Sequence, residues 1–269
     1  MRTVCNASVR AAATVAVICV GLSIPAAGQT SGQVSTLPRT PDGQPDLQGF
    51  WQVINTAAWD IQDHPARLGV PAGQGVVEGN EIPYQPWALA KKQENFENRE
   101  TADPETKCYM PGVPRITYMP YPFQILQFPD RVLILYEYVH VTRTVYMDGS
   151  PHPDGHIDFW MGDSRGRWEG DTLVVEVTNF SDRTNFRGAG STRRLIERYT
   201  RVDADTVQVE ITIDDPTTWT RSWTTAVTGK RDPDYWQVFE YACHEGNYGM
   251  RNILSAARNL EKAAAKDGK

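Results

Sequence analysis

Apolar and polar positions alternate with a period of two through most of the second half of this chain. Segments of this kind run from Phe123 to Phe128, Val132 to Met147 with a bend, Thr172 to Thr178, Arg193 to Arg201, Thr206 to Ile213, Trp219 to Val227 and Trp236 to Cys243. They are rich in β-branched and aromatic residues, which suit a pleated, half-buried surface. Pro-Asp, Asp-Gly, Glu-Gly-Asp and Asp-Ala-Asp turns separate them, so the pattern predicts an antiparallel meander. So many strands leave exposed edges unless the sheet closes, which points to a mainly β fold built as a barrel or a strongly curved sandwich.

Two segments have helical patterning instead. Pro86-Trp87-Ala88-Leu89-Ala90-Lys91-Lys92 places good helix formers behind a first-turn proline and predicts a helix from 86 to about 99. Near the end, Ile253, Leu254, Ala257 and Leu260 recur at helical spacing, predicting a helix over 249–266 with a narrow apolar stripe packed on the sheet. The stretch from Cys108 through Pro111, Pro114, Pro120 and Pro122 is punctuated by prolines and is read as extended or turning.

The first 28 residues stand apart. Arg2 and Arg10 precede an apolar run from Ala11 to Ile24, then the small residues Pro25-Ala26-Ala27-Gly28. This is the layout of a secretory signal peptide cleaved near Gly28, and the run is too short to span a bilayer comfortably. Residues 29–46, rich in Gly, Ser, Thr, Gln and Pro, are read as a flexible leader, and 47–269 as one domain. The expected location is periplasmic or secreted, with no membrane span in the mature chain.

Without the signal there are 25 basic residues against 33 acidic ones, a net charge of −8 with no basic tract. Nucleic acid is therefore excluded as an expected partner. The same cleavage removes Cys5 and Cys19 and leaves Cys108 and Cys243. Two cysteines in an oxidising compartment most simply pair, and closing a loop of 135 positions would stabilise the fold by up to about 5 kcal/mol.

Along the segment 132–147, parity assigns Tyr136, Tyr138, His140, Thr142, Thr144 and Tyr146 to one face. Leu133, Leu135, Val139, Val141, Val145 and Met147 share the other with Glu137 and Arg143. The second face is core-like; the first either lines a wet cavity or meets solvent. Tyr136, Tyr138 and Arg143 are candidate ligand-orienting groups, since aromatic walls with a few polar groups are what small-molecule sites use. Trp219, Arg221 and Trp223 fall on one strand face, within reach of cation-π stacking, and form a second candidate binding platform.

Acid-base chemistry has four candidates: His140, His152, His244 and Glu245. The loop Ser150-Pro151-His152-Pro153-Asp154-Gly155-His156-Ile157-Asp158 offers His152, His156 and Asp158 as an alternative metal set, although the leading expectation is that no cofactor is needed. Glu169 and Asp171 are read as turn formers. No G-x-S-x-G elbow, phosphate loop or dinucleotide fingerprint is present.

The opening Pro45-Asp46-Leu47-Gln48-Gly49-Phe50-Trp51 is similar to the G-x-W start of lipocalin-like barrels, in which the Trp plugs one barrel end. That resemblance implies a calycin-like barrel. The runs Met147–Pro153, Met161–Val175, Glu197-Arg198-Tyr199 and Asp214-Asp215-Pro216 together resemble a family of exported bacterial β-rich proteins with a WMGDSRGRWEGDTLVV-type motif. The family implies export and fold. Within it the counterpart of His152 is shared and that of His156 is often another residue, which weighs against a metal site needing both.

Three functions are then expected of such a barrel. It holds a small, partly aromatic or alicyclic molecule and acts on it as an isomerase, lyase or hydratase; or it carries or senses that molecule without catalysis; or it is a structural, partner-binding envelope protein. Converged histidines would favour the enzyme and an apolar, histidine-free pocket the carrier.

Overall fold

A computed structural model describes residues 37–243 and 248–267. The expected signal segment, most of the leader, and His244 and Glu245 lie outside the described residues.

Nine strands close into one barrel in chain order. They are β1 (Gly49–Val53), β2 (Pro122–Gln127), β3 (Arg131–Tyr136), β4 (Thr142–Tyr146), β5 (Asp163–Glu169), β6 (Thr172–Thr178), β7 (Arg194–Asp203), β8 (Thr206–Asp214) and β9 (Trp223–Arg231). The mainly β, calycin-like architecture expected from the alternation is the one observed. Helices α1 (Pro86–Glu97), α2 (Arg99–Ala102) and α3 (Arg115–Tyr118) fall in the long connection between β1 and β2, and α4 (Tyr248–Asp267) ends the chain.

Neighbouring strands pair antiparallel except β4 and β5, which are parallel and share only two register pairs, Val145↔Ser164 and Tyr146↔Arg165. The chain must run the length of the barrel through residues 147–162 before β5, so this is the weakest seam. Closure comes from β9 pairing β1, Trp51↔Arg231 through Val53↔Gly229. Both edges of β9 are thereby taken by β8 and β1. The strand expected from Trp236 to Cys243 therefore has nowhere to pair, and that segment is irregular.

The inward positions follow the two-residue period: Val132, Ile134 and Tyr136 on β3, Leu195, Glu197, Tyr199 and Arg201 on β7, Val207, Val209, Ile211 and Ile213 on β8 are all buried. One barrel end is stoppered by Trp51, 1% exposed. Its indole Nε1 donates to the Leu47 carbonyl at 2.9 Å. The guanidinium groups of Arg201 and Arg231 lie over its ring at 5.6 and 5.0 Å. Gly49, at φ +134°, makes room for Arg231: a Cβ there would sit 2.6 Å from Nη2. Within the segment 37–46, Arg39 bridges to Pro45 and its side chain pairs with Asp171 at 2.7 Å across this end.

The opposite end is capped by the segment between β1 and β2, by residues 179–193 and by the turn before β9, which contribute buried Ile61, Val77, Ile116, Tyr118, Phe180, Phe186 and Trp219. Cys108 and Cys243 are joined, with Cα atoms 6.0 Å apart, as the compartment argument expected.

Three further expectations are corrected. The segment 132–147 is two strands, because a 3-10 turn at Tyr138–His140 with Val139 and His140 at φ 52° folds it into a hairpin. That turn resets parity, so Tyr136 and Arg143 both point inward, while Leu133 and Leu135 lie half-buried on the outside. The last strand starts at Trp223, not Trp219, because Asp215 draws residues 217–219 into a turn through the Thr217 backbone N–H and the Thr217 and Thr218 hydroxyls. Finally, every described side chain from 251 to 266 is exposed, so the apolar stripe of α4 is not packed on the barrel as expected.

Candidate functional sites in and around the barrel

The interior holds an ion pair. Arg143 on β4 and Glu197 on β7 are 2% and 0% exposed. Arg143 Nη2 meets Glu197 Oε2 at 2.7 Å and Nη1 donates to Oε1 at 3.1 Å. Arg143 Nε donates to Ser164 Oγ at 2.9 Å, and the Tyr199 hydroxyl donates to Glu197 Oε2 at 3.4 Å. Burial works against the Arg143 charge, but Glu197, Tyr199 and Tyr136 outweigh it and hold its pKa above the ordinary value. Burial is the first cause that pushes the Tyr136 and Tyr199 phenols up. The guanidinium is thus met by Glu197 and Ser164, and the carboxylate by Arg143 and Tyr199.

Of the expected ligand platform, Trp219 and Trp223 are buried and meet edge to face with ring centres 5.4 Å apart. Trp223 stacks on Phe186, which meets Tyr118. The expected Trp-Arg-Trp ladder does not form. Arg221 sits in the exposed turn and faces Glu81 at 3.7 Å. Tyr136, Arg143, Trp219 and Trp223 are thus gathered toward the capped end, while Arg221 and Tyr138 are not.

Tyr138 and His140 belong to a cluster outside the barrel, near the disulfide. Tyr138 stacks on Tyr121 at 4.7 Å, and Tyr241 packs edge-on against Tyr138 at 5.1 Å and against His140 at 6.3 Å. The Tyr138 hydroxyl donates to Glu105 Oε2 at 2.6 Å, and Arg115 Nε contacts Glu105 Oε1 at 2.6 Å while its two terminal nitrogens hold Asp103. Burial raises the Glu105 carboxyl above its usual range despite Arg115 and the Tyr138 hydrogen bond. His140 itself is exposed.

His152 lies apart from that cluster, in the connection between β4 and β5. Its Nδ1 is 2.6 Å from Asp163 Oδ1, and Arg165 clamps the same carboxylate through Nε at 2.6 Å and Nη2 at 3.0 Å. Arg165 also reaches Ser150 Oγ and lies over the Tyr146 ring at 4.6 Å. No hydrogen bond or ion pair links His152 with His140 among the described residues. His152, His156 and Asp158 do not assemble a metal set either: among the described residues no group of three or more such ligands is present. Glu169 and Asp171 take the turn roles expected of them, pairing with Arg167, Arg198 and Arg39.

A cleft of about 550 Å³ opens beside the plugged end, between the 40–48 loop and the weak β4–β5 seam. Phe128, Val132, Met147 and Trp168 supply its apolar wall, and Gln44, Gln48, Gln127 and Arg167 its polar rim. Gly166 shapes it from below, since a Cβ there would lie 2.5 Å from Met147 Sδ and 2.7 Å from Val145 Cγ1. No histidine lines it. Sequence reasoning missed it because its walls come from four separate segments; the Gly166 and Trp168 of the long central motif were the only signal.

This closed, plugged nine-strand barrel defines a calycin-like β-barrel protein. No family model and no curated protein matches the chain. Among the described residues no helix is long and apolar enough to cross a membrane.

Proposed function

We propose that the chain is an exported barrel that binds a small, largely apolar molecule without transforming it, as a carrier or sensor. The observation that carries this reading is the histidine-free cleft of about 550 Å³ between the 40–48 loop and the β4–β5 seam. Its size lies within the range of small-molecule sites, and an aromatic and aliphatic wall with a rim of amides, Asp42 and Arg167 gives apolar contact plus orientation. Export is supported by the N-terminal signal pattern and by the Cys108–Cys243 pairing.

The test uses the neutral probe N-phenyl-1-naphthylamine, whose fluorescence rises in apolar sites. Saturable binding to the purified protein is expected, weakened at least about tenfold, or 1.4 kcal/mol, by Trp168→Ala and by Phe128→Ala. Absent saturation, or binding indifferent to both substitutions, would overturn the reading.

A second reading, acid-base catalysis, is favoured by one arrangement: the Arg165-clamped Asp163 orients His152, leaving Nε2 without a partner among the described residues. Any turnover found in a substrate screen that survives His152→Gln would remove it.

A further inference from the structure

Three arginines, Arg143, Arg193 and Arg201, are almost completely enclosed among the described residues, and they are treated differently. Arg201, at the plugged end, gives all three guanidinium nitrogens to the carbonyls of Asp203, Asp46 and Ala204. Arg143 faces Glu197. Arg193, 1% exposed, has no carboxylate within ion-pair distance among the described residues. Its Nη1 donates to the Gly190 carbonyl at 2.7 Å and its Nη2 to Thr184 Oγ1 at 3.1 Å, both neutral. Its guanidinium lies over the Phe180 ring at 3.8 Å, and Nε has no hydrogen-bond partner among the described residues.

The nearest acids are occupied. Asp215 accepts from the hydroxyls of Thr192, Thr217 and Thr218, and Asp182 from the Ser191 backbone N–H. Burial pulls the Arg193 pKa down to about 9, with Asp215 and Asp182 opposing it from a distance. At neutral pH it is therefore still a cation, enclosed without an anion, which is unfavourable unless something compensates it.

The same capped end holds further donors in surplus. Trp219 Nε1, Trp223 Nε1 and Thr225 Oγ1 are buried without a partner among the described residues. Register links them to Arg193: β7, which begins directly after it, pairs Leu195 with Ile213, and Ile213 pairs with Trp223. Trp219 in turn hangs from the Asp215 carbonyl through its backbone N–H at 2.9 Å. Unpaired donors among aromatic rings call for an acceptor, because a buried polar group left unmet has lost its hydration without replacement.

We propose that the capped end of the barrel is a binding site for a small aromatic monocarboxylate, its carboxylate received by Arg193 and its ring by the aromatic cap. Arginine suits this task, since its planar fork matches carboxylate geometry. The site is separate from the cleft at the plugged end and does not depend on it.

Calorimetry and thermal shift on the full-length mature protein at pH 7 test it, with benzoate, phenylacetate and cinnamate against their neutral amides. At least one acid is expected to bind about tenfold or more tightly than its amide, and Arg193→Met is expected to bring that ratio to about one. Arg193→Met should melt no lower than the wild type in the absence of ligand, because it removes an uncompensated charge. Should that variant fail to fold, Arg193→Lys keeps the cation and is expected to retain the preference for acids in weaker form. Equal binding of acids and amides, an acid preference that survives Arg193→Met, loss of the preference in Arg193→Lys, or no response to any acid at millimolar concentration would each overturn the proposal, the last meaning that water alone satisfies these donors. Trp168→Ala separates the two sites: it should weaken N-phenyl-1-naphthylamine binding and leave acid binding unchanged.

Discussion

The interior ion pair offers the sharpest test of how this barrel is held together. Arg143→Met removes both contacts to Glu197 and the 2.9 Å bond to Ser164, and leaves a carboxylate that is 0% exposed with only the 3.4 Å Tyr199 hydroxyl for a partner. Breaking such a pair from one side costs about 3–5 kcal/mol, a large share of the roughly 5–15 kcal/mol that a domain commands. For a domain of this size that corresponds to a fall in melting temperature of about 6–20 °C. Glu197→Leu should cost a similar amount by stranding the guanidinium. The double variant Arg143→Met/Glu197→Leu strands neither, so it should recover most of the loss and lie within about 2 kcal/mol of wild type. Urea denaturation of the four proteins measures the cycle. A single substitution costing under about 1 kcal/mol, or a double variant as unstable as the sum of the singles, would refute the idea that mutual compensation holds these charges inside.

Other outcomes follow from features nearer the surface. The raised carboxyl of Glu105 means that the unfolded chain releases this proton first, so its contribution to stability is present below the unfolded value near pH 4.3 and declines as pH rises through the raised folded value; Glu105→Gln should flatten that part of a plot of melting temperature against pH. Gly49→Ala should destabilise by about 1–3 kcal/mol in a denaturant melt, because it combines φ +134° with a contact against Arg231. Reducing Cys108–Cys243 frees a loop of 135 positions and should lower stability by about 2–5 kcal/mol, read as a shift in melting temperature with reductant. Removing residues 251–269 should change the melting temperature by no more than about 2 °C, since the described side chains of that helix are exposed.

Much of the architecture was written locally. Alternation along Thr172–Thr178 and Thr206–Asp214 is visible in sequence because a half-buried strand must repeat every two residues, and outside the expected signal segment Cys108 and Cys243 have one partner each. The turn at Tyr138–His140 was less visible, since it places two bulky residues at positive φ with no glycine to announce it. One unannounced turn was enough to move Leu133 and Leu135 from core to outer wall.

What the sequence determined by itself was therefore the strand-rich class, the expectation that Cys108 pairs with Cys243, and the short list of polar and aromatic residues with chemistry to offer. Only the tertiary structure decided which of them meet. Closure of β9 onto β1 denied a partner to Trp236–Cys243, and the register across the barrel set Arg143 opposite Glu197. The same packing left Arg193 enclosed beside neutral groups. The barrel-closing and ion-pair partners are 54 or more positions apart, and those of Arg193 lie in the irregular loop just before β7; periodicity, which reports only on regular local repeats, carries no information about either.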